Sequence, residues 1–137
     1  MTDETPIKYK QHRLPPAHRE IIQKDVKDKL RMGIIEPSNS PMSSPFMIVP
    51  KKCDKFGRPK YRLVLDYRLV NQRIKGDSYA LPNKQEILDQ LGDSQYFSTF
   101  DLAQGSYQVG LKKKDRWKTP FATPGYGHYR FCKLPMG

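Results

Sequence analysis

The feature that most constrains this chain is an apolar, aromatic run over residues 96–109 that carries a single carboxylate, Asp101. Burial of a lone charge is costly unless the charge is paired or binds a cation. Acidic residues are scarce, with 14 Asp and Glu against 25 Lys and Arg. The run predicts a buried strand that ends in a turn at Gly105. Asp101, at the end of that strand, is a candidate metal ligand facing a polyanion.

The charge of the chain points to an acidic partner. Its net charge is +11 at pH 7, and phosphate contacts dominate the affinity of nucleic acids for basic proteins. A membrane partner is not expected, because the sequence shows no signal peptide, no bilayer-length apolar run and no basic amphipathic helix with bulky apolar anchors. Cys53 and Cys132 are far apart in sequence and are expected to be free thiols in a reducing compartment.

The length of 137 residues predicts one domain, or one and a fraction, and periodicity predicts mixed helices and strands. Ile22, Val26 and Leu30 recur every four residues, which predicts a helix over residues 17–32 that stops at Gly33. Strands over 46–49 and 60–68 form a predicted hairpin with a long basic tip, and residues 121–131 form a second hairpin.

A third prediction from local pattern is a short helix before the apolar run. Asn83 and Glu86 resemble a capping box, and Gly92 follows as the helix end. Residues 1–14 are polar and are expected to be a flexible N-terminal segment.

The densest basic region lies between residues 51 and 75, where aromatic residues are interleaved with the charges. Such a hairpin suits a phosphate backbone or a triphosphate, although a solvated hairpin that keeps the protein soluble is the alternative. A second cluster covers residues 112–118. The basic residues of the first region are Lys51, Lys52, Lys55, Arg58, Lys60, Arg62, Arg68, Arg73 and Lys75.

The two aspartates in apolar surroundings differ in their expected roles. For Asp66, an ion pair with a nearby arginine is favoured over metal binding, because buried carboxylates commonly need such a partner. Two-metal phosphoryl transfer requires at least two carboxylates, so the residues alone leave a catalytic role of Asp101 open. The histidines receive no role, and Trp117 is expected to pack partly in the core.

Several segments in order resemble the reverse transcriptases of gypsy-type long-terminal-repeat retrotransposons and, more distantly, retroviral polymerases. The resemblance runs from about residue 8 to the last residue. The segments are 34–41 (IIEPSNSP), 44–52 (SPFMIVPKK), 61–71 (YRLVLDYRLVN), 81–82 (LP), 96–103 (YFSTFDLA), 118–121 (KTPF) and 134–137 (LPMG).

The resemblance implies an α+β fold, the fingers and partial palm of a right-hand polymerase. Fingers would cover 15–80, the partial palm 81–118, and a return to the fingers 119–137. The chain would stop before the Tyr-x-Asp-Asp hairpin and the thumb. The expected function is a fragment of an RNA-directed DNA polymerase that is inactive as an isolated chain. A basic nucleic-acid-binding remnant and a decayed open reading frame are the alternatives.

The resemblance also implies roles for individual residues. Asp101 would be the catalytic metal ligand, joined by the carbonyl of Leu102. Lys52 would meet the incoming triphosphate, with Lys55 or Lys60 as alternatives. The other implied nucleotide-binding residues are Arg62, Leu102, Gln104, Gly105, Ser106 and Met136, and the implied nucleic-acid-binding residues are Lys51, Lys55, Arg58, Arg68, Arg73 and Lys75.

The implied cofactor and partners are those of a polymerase. The intact enzyme would use Mg²⁺ or Mn²⁺, which the fragment is not expected to bind tightly. RNA or DNA template-primer, deoxynucleoside triphosphates and the remainder of a Pol polyprotein would be its partners. The expected location is the cytoplasm, virus-like particles or the nucleus.

One position departs from the family pattern. An aromatic residue usually follows the turn glycine and walls off the ribose 2′-hydroxyl, but Ser106 stands there in this chain. Either Ser106 removes the wall or Tyr107 takes its place.

Finally, an apolar strand with an uncovered edge favours aggregation, so residues 96–137 are expected to be mobile or self-associated.

Overall fold

The longest element is the helix α1, Pro16–Arg31, which follows Pro15 and confirms the helix predicted from periodicity. The structure is a computed structural model that describes residues 5–7, 15–123, 125 and 127–136. Proline is tolerated in the first turn of a helix because the N–H that it lacks has no partner there. Gly33, with a φ of 69°, ends the helix by adopting the left-handed conformation.

Within the described ranges of the chain, five strands form two antiparallel sheets. The strands β2, Phe46–Lys51, and β3, Lys60–Leu65, pair from Phe46 opposite Leu65 to Lys51 opposite Lys60. The other sheet has the order β1–β5–β4, with β1 at Ile35–Pro37, β4 at Phe121–Thr123 and β5 at Gly127–Phe131. Both predicted hairpins are confirmed. Two residues of the second predicted hairpin, Pro124 and Tyr126, lie outside the described residues.

One core lies between α1, the two sheets and the loop after β1. Phe121 and Phe131 are fully buried at its centre, with ring centroids 5.5 Å apart. Ile7 also packs there, so this part of the predicted flexible N-terminal segment 1–14 is held on the core, whereas residues 1–4 and 8–14 lie outside the described residues. The buried apolar residues of the core are Ile7, Ile22, Val26, Ile34, Ile35, Met42, Phe46, Leu65, Tyr67, Val70, Phe121 and Phe131.

The chain between the hairpins contains a long exposed segment. After the short helix α2, Arg68–Asn71, every residue from 74 to 104 is exposed. This segment includes α3, Lys84–Leu91, which has the predicted capping box between Asn83 and Glu86 and ends at Gly92. Two 3₁₀ helices follow, at Gly105–Gln108 and Lys113–Lys118. We call residues 74–104 the exposed arm.

Two expectations from the sequence are wrong. Residues 96–102 belong to no strand, because no described segment lies beside them to complete a hydrogen-bonded ladder. The expected lack of order in residues 96–137 fails for the second hairpin, because β4 and β5 pair with each other and β5 pairs with β1. The strand β1 has only three residues, which is too short for an alternating pattern in the sequence to predict it. The division into fingers, palm and return remains a prediction.

Candidate nucleotide-binding cleft

A cleft of about 270 Å³ lies where α1, the β2–β3 hairpin and the turn before the first 3₁₀ helix meet. The helix contributes charged side chains from its last turns, and the hairpin contributes two cations. The lining residues are Asp25, Asp28, Lys29, Met32, Ile34, Lys51, Tyr61, Arg62, Leu63, Gln104, Tyr107 and Met136. Residues far apart in sequence therefore share one concave surface, which is typical of ligand sites.

The hairpin is the cationic side of this cleft. Lys51 and Arg62 lie on the paired strands, and both are exposed. The acids that α1 contributes are already engaged, since Asp25 bonds with Lys29 and Asp28 lies 3.5 Å from Arg31. The hairpin cations therefore leave the cleft suited to an anionic ligand such as a phosphate.

The remaining basic residues of the hairpin lie outside the cleft. Lys60 is opposite Lys51 in the strand register, and Lys52 and Lys55 lie in the exposed loop at the tip. Asp54 closes that loop by accepting bonds of 2.9 Å from the backbone N–H groups of Phe56 and Arg58. The tip is thus a structured, predominantly basic loop.

Arg68, Arg73 and Lys75 lie beyond the hairpin. Arg73 donates to the carbonyl of Thr5 at 2.6 Å. Lys75 borders a second cleft, of about 400 Å³, which is mostly apolar and is also lined by Tyr67 and Lys118. The structure therefore does not bring these three residues into the first cleft.

Asp66 forms the ion pair favoured from the sequence. Its carboxylate accepts bonds from the Arg68 side chain, the shortest at 2.6 Å, and from the Arg68 backbone N–H at 3.1 Å. These side-chain and backbone bonds lower the pKa of Asp66 from 3.8 to about 2. The next residue, Tyr67, donates its hydroxyl to the carbonyl of Thr119 at 2.9 Å, and burial raises its pKa.

The turn at Gln104 forms one wall of the cleft and is strained. The backbone of Gln104 is in the left-handed conformation, with φ 50° and ψ 51°, which residues other than glycine rarely adopt. An added Cβ at Gly105 would lie 3.2 Å from Cβ of Leu102, so the turn is also tight. Ser106 is not part of the cleft wall, and its buried Oγ has no hydrogen-bond partner among the described residues.

Tyr107, in contrast, does line the cleft. Its ring stacks on Phe131 with centroids 6.3 Å apart and lies beneath the Lys29 ammonium, which is 5.9 Å from the ring centroid. Burial and then the charge of Asp25 raise the pKa of Tyr107. Ser106 and Tyr107 are the two candidates for the residue that walls off the sugar, and of these Tyr107 lies on the cleft surface.

Asp101 and Leu102 are exposed and do not line the cleft. The expectation of a buried carboxylate at a strand end is wrong in this structure, because the surrounding residues form no sheet. Within the described residues, no three His, Cys, Asp or Glu side chains are grouped to hold a metal ion. One carboxylate and one carbonyl do not fit a pair of divalent cations, each of which prefers about six oxygen ligands.

The apolar periodicity of α1 does not predict its contribution to the cleft. The periodicity concerns only the apolar residues of this helix, whereas Asp25, Asp28 and Lys29 all line the cleft. Their i, i+3 and i+4 spacing places them on neighbouring positions of one helix face. That spacing was available in the sequence, but nothing in it indicated which element would lie opposite.

A further polar cluster ties the second 3₁₀ helix to the sheet. Glu36 on β1 accepts bonds from Arg130 at 2.7 Å and from Arg116 at 3.3 Å. Burial acts to raise the pKa of Glu36, but bonds from Arg130 and Cys132 and both arginine charges lower it overall. The carboxylate therefore serves as a structural link.

Comparisons with known proteins identify the family. The model of the reverse transcriptase (RNA-dependent DNA polymerase) family matches residues 49–137, more than half of the chain. The chain belongs to this family, and its α+β fold is that of part of a reverse transcriptase domain.

Its relatives are much longer polyproteins. The chain is 43% identical to the Pol polyprotein of transposon 297 from Drosophila melanogaster over 99% of its own length and 13% of the relative's. For the Pol polyprotein of transposon gypsy from the same organism, the identity is 44%, over 86% of the chain and 11% of the relative. These similarities confirm the gypsy-type resemblance.

A solved structure supports the same assignment. The foamy viral protease–reverse transcriptase in complex with an RNA/DNA hybrid aligns with a TM-score of 0.79 and 29% identity, over 96% of this chain and 17% of that protein. The chain thus spans less than a fifth of the length of these relatives. No helix in the described part of the chain is long and apolar enough to cross a membrane.

Proposed function

We propose that this chain supplies the nucleotide- and template-contacting part of a reverse transcriptase, and that by itself it binds nucleic acid without polymerising it. The observation that carries the proposal is the meeting of Lys51, Arg62, Gln104 and Met136 at one cleft. A hairpin cation opposite a backbone turn is a suitable arrangement for a polyphosphate. The RNA/DNA hybrid bound by the foamy viral relative supports the same class of partner for this chain.

Reverse transcriptases generally use a divalent metal, but this chain supplies too few ligands for a catalytic step with that metal. Asp101 and the Leu102 carbonyl are the two ligands implied by the family resemblance. They are too few for the two-metal reaction, in which both the attacking and the leaving oxygen must be stabilised. We therefore propose that Asp101 acts only where additional carboxylates are supplied.

Primer extension tests the catalytic half of the proposal. The chain is incubated with a primed RNA or DNA template, four deoxynucleoside triphosphates and Mg²⁺ or Mn²⁺, beside the Asp101→Asn variant. No extension is expected from either protein. Extension by the unsubstituted chain above that of the variant contradicts the proposal.

Salt-dependent binding tests the other half. On duplex DNA, log K should fall with log salt at a slope of about −0.9 per neutralised phosphate. Lys60→Ala with Arg62→Ala should weaken binding and flatten the slope. Lys24→Ala with Lys27→Ala removes the same charge from exposed positions of α1 and serves as the control. No binding at low salt, or equal effects of both pairs, contradicts the role of the hairpin.

The relatives are Pol polyproteins, and we propose that this chain acts with further Pol segments in the cytoplasm, in virus-like particles or in the nucleus. Fractionation of cells that express a tagged element, followed by detection of the tag, tests this location. Recovery of the tag only with membranes contradicts it.

A further inference from the structure

Lys29 is an unusual residue for its place on α1. The buried side chains of this helix are Ile22, Val26 and Lys29, so the lysine lies on the apolar stripe with 7% of its surface exposed. Lysine is rarely this buried unless its charge is paired. The partner here is Asp25, one turn earlier on the same helix.

The Lys29 side chain also forms part of the cleft lining. Its ammonium lies over the ring of Tyr107, 5.9 Å from the centroid, and both residues line the cleft. A cation over an aromatic face is attracted by the ring quadrupole, more strongly where water is excluded. Phe131, a fully buried core residue, contacts the same ring.

Tyr107 is in turn coupled to the strained turn. Its backbone N–H donates to the carbonyl of Gln104 at 2.9 Å, and the N–H of Val109 donates to Ser106 at 3.2 Å. A left-handed residue other than glycine persists only where its surroundings hold it. The Tyr107 ring is the part of this turn that reaches both the core and α1.

We propose that Lys29 is a positioning residue of the cleft, whose ammonium, held by Asp25, fixes Tyr107 and through it the turn at Gln104. Lys29 need not touch a nucleotide to do this. That the turn faces a nucleotide rests on the function proposed above, but the fixing of the turn itself does not.

Amide hydrogen exchange on the isolated chain tests the proposal with three variants. Lys29→Met keeps the length and apolar stem but removes the charge, Lys29→Arg keeps a cation, and Asp28→Asn changes another cleft residue of α1. The reporting amides are Tyr107 and Val109. Ser44 and Cys132, whose amides bond to Pro120 and Ile34 at 2.8 Å, report on the core.

Lys29→Met should lower protection at Tyr107 and Val109 by about tenfold and change Ser44 and Cys132 by less than about twofold. Global stability should change little, because the Asp25 carboxylate that loses its partner has 32% of its side chain exposed and stays hydrated, whereas removal of one partner is strongly destabilising only when the remaining charge is buried. Lys29→Arg and Asp28→Asn should retain the protection of the turn. Unchanged protection in Lys29→Met shows that packing alone suffices, and a parallel loss at all four amides shows a global effect. Either result overturns the proposal.

A titration with thymidine triphosphate and Mg²⁺ separates this role from the proposed function. Resonances of Gln104 should shift in the unsubstituted chain, with about tenfold weaker binding in Lys29→Met, in line with the lost protection. If Gln104 does not respond in the unsubstituted chain while exchange still shows a loosened turn, the nucleotide function fails and the positioning role stands. Equal affinity of both proteins, with a loosened turn in the variant, overturns the role of Lys29 in the cleft.

Discussion

Two serines show how strongly the surroundings of one hydroxyl group determine its effect. Ser40 Oγ donates to the carbonyl of Trp117 at 3.1 Å and accepts from the N–H of Met42 at 3.2 Å. The buried Oγ of Ser106 has no such partner in the described part of the chain. The sequence does not distinguish the two, because the Trp117 carbonyl that accepts from Ser40 lies 77 residues away along the chain.

Replacing these serines should therefore have opposite effects on stability. Ser106→Ala should raise the free energy of unfolding by about 1 kcal/mol, because it removes a buried polar group without a bond. Ser40→Ala should lower it by about 1 kcal/mol, because it leaves buried partners unsatisfied. Urea denaturation of both variants measures the difference. A loss of stability in Ser106→Ala would mean that a bound water or another group satisfies its hydroxyl.

Asp66 is a residue whose partner the sequence did reveal, since Arg68 is two positions away. Its lowered folded-state pKa means that its contribution to stability is complete above its ordinary pKa of 3.8 and is lost as the pH falls toward about 2. The unsubstituted chain should therefore lose stability over this interval more steeply than Asp66→Asn. Thermal melts between pH 5 and pH 2 measure this, with Asp93→Asn, an exposed carboxylate, as the control. Parallel curves for the chain and Asp66→Asn would contradict the ion pair.

At the scale of elements, α1 illustrates both the strength and the limit of periodicity. The sequence predicts the helix and its ends. It also predicts that Leu30 belongs to the buried apolar face, but Leu30 is 36% exposed and Lys29 is buried instead. A helix has 3.6 residues per turn, so a strict spacing of four drifts off the buried face within two turns. The apolar pattern hid the lysine because charge is normally taken as a sign of exposure.

The helix α3 was predicted from its cap rather than its packing. The Asn83 side chain accepts from the N–H of Glu86 at 2.8 Å, and the Glu86 side chain accepts from the N–H of Asn83 at 3.2 Å. Such local bonds are visible in sequence because both partners lie within one turn. The strand predicted before the Gly105 turn does not form, for the converse reason: a strand requires a neighbouring strand, and that neighbour can lie anywhere in the chain.

Removal of the cap should unfold α3 without unfolding the protein. Asn83→Ala should destabilise this helix by about 1 kcal/mol, because it leaves N-terminal N–H groups without an acceptor. The melting temperature of the whole chain should change little, since α3 buries no side chain. Carbon chemical shifts of residues 84–91 measure the helix, with Gln90→Ala as the control. A large fall in the global melting temperature would show that α3 packs on the core.

At the scale of the molecule, the core is assembled from segments distant in sequence. β1 pairs with β5, which places Ile35 opposite Phe131, and Ser44 forms a bridge with Phe121. The family motifs predicted the α+β class and the gypsy-type relationship. They did not predict this pairing or the cleft beneath α1, because both depend on contacts between segments that share no local pattern.

The exposed arm makes the molecule separable into two polypeptides. Of the described glutamates, Glu36 is held by two arginines and Glu20 lies in the packed helix α1, whereas Glu86 lies in an arm that buries nothing. Among these three glutamates, a glutamate-specific protease should therefore cut first after Glu86, because cleavage requires local opening. The two fragments should remain associated, since the sheet joins β1 from one with β4 and β5 from the other. Native mass spectrometry of the nicked protein measures this. Fragments that part without denaturant would show that the arm is needed to hold the halves together; fragments that persist as a pair could be expressed separately and recombined.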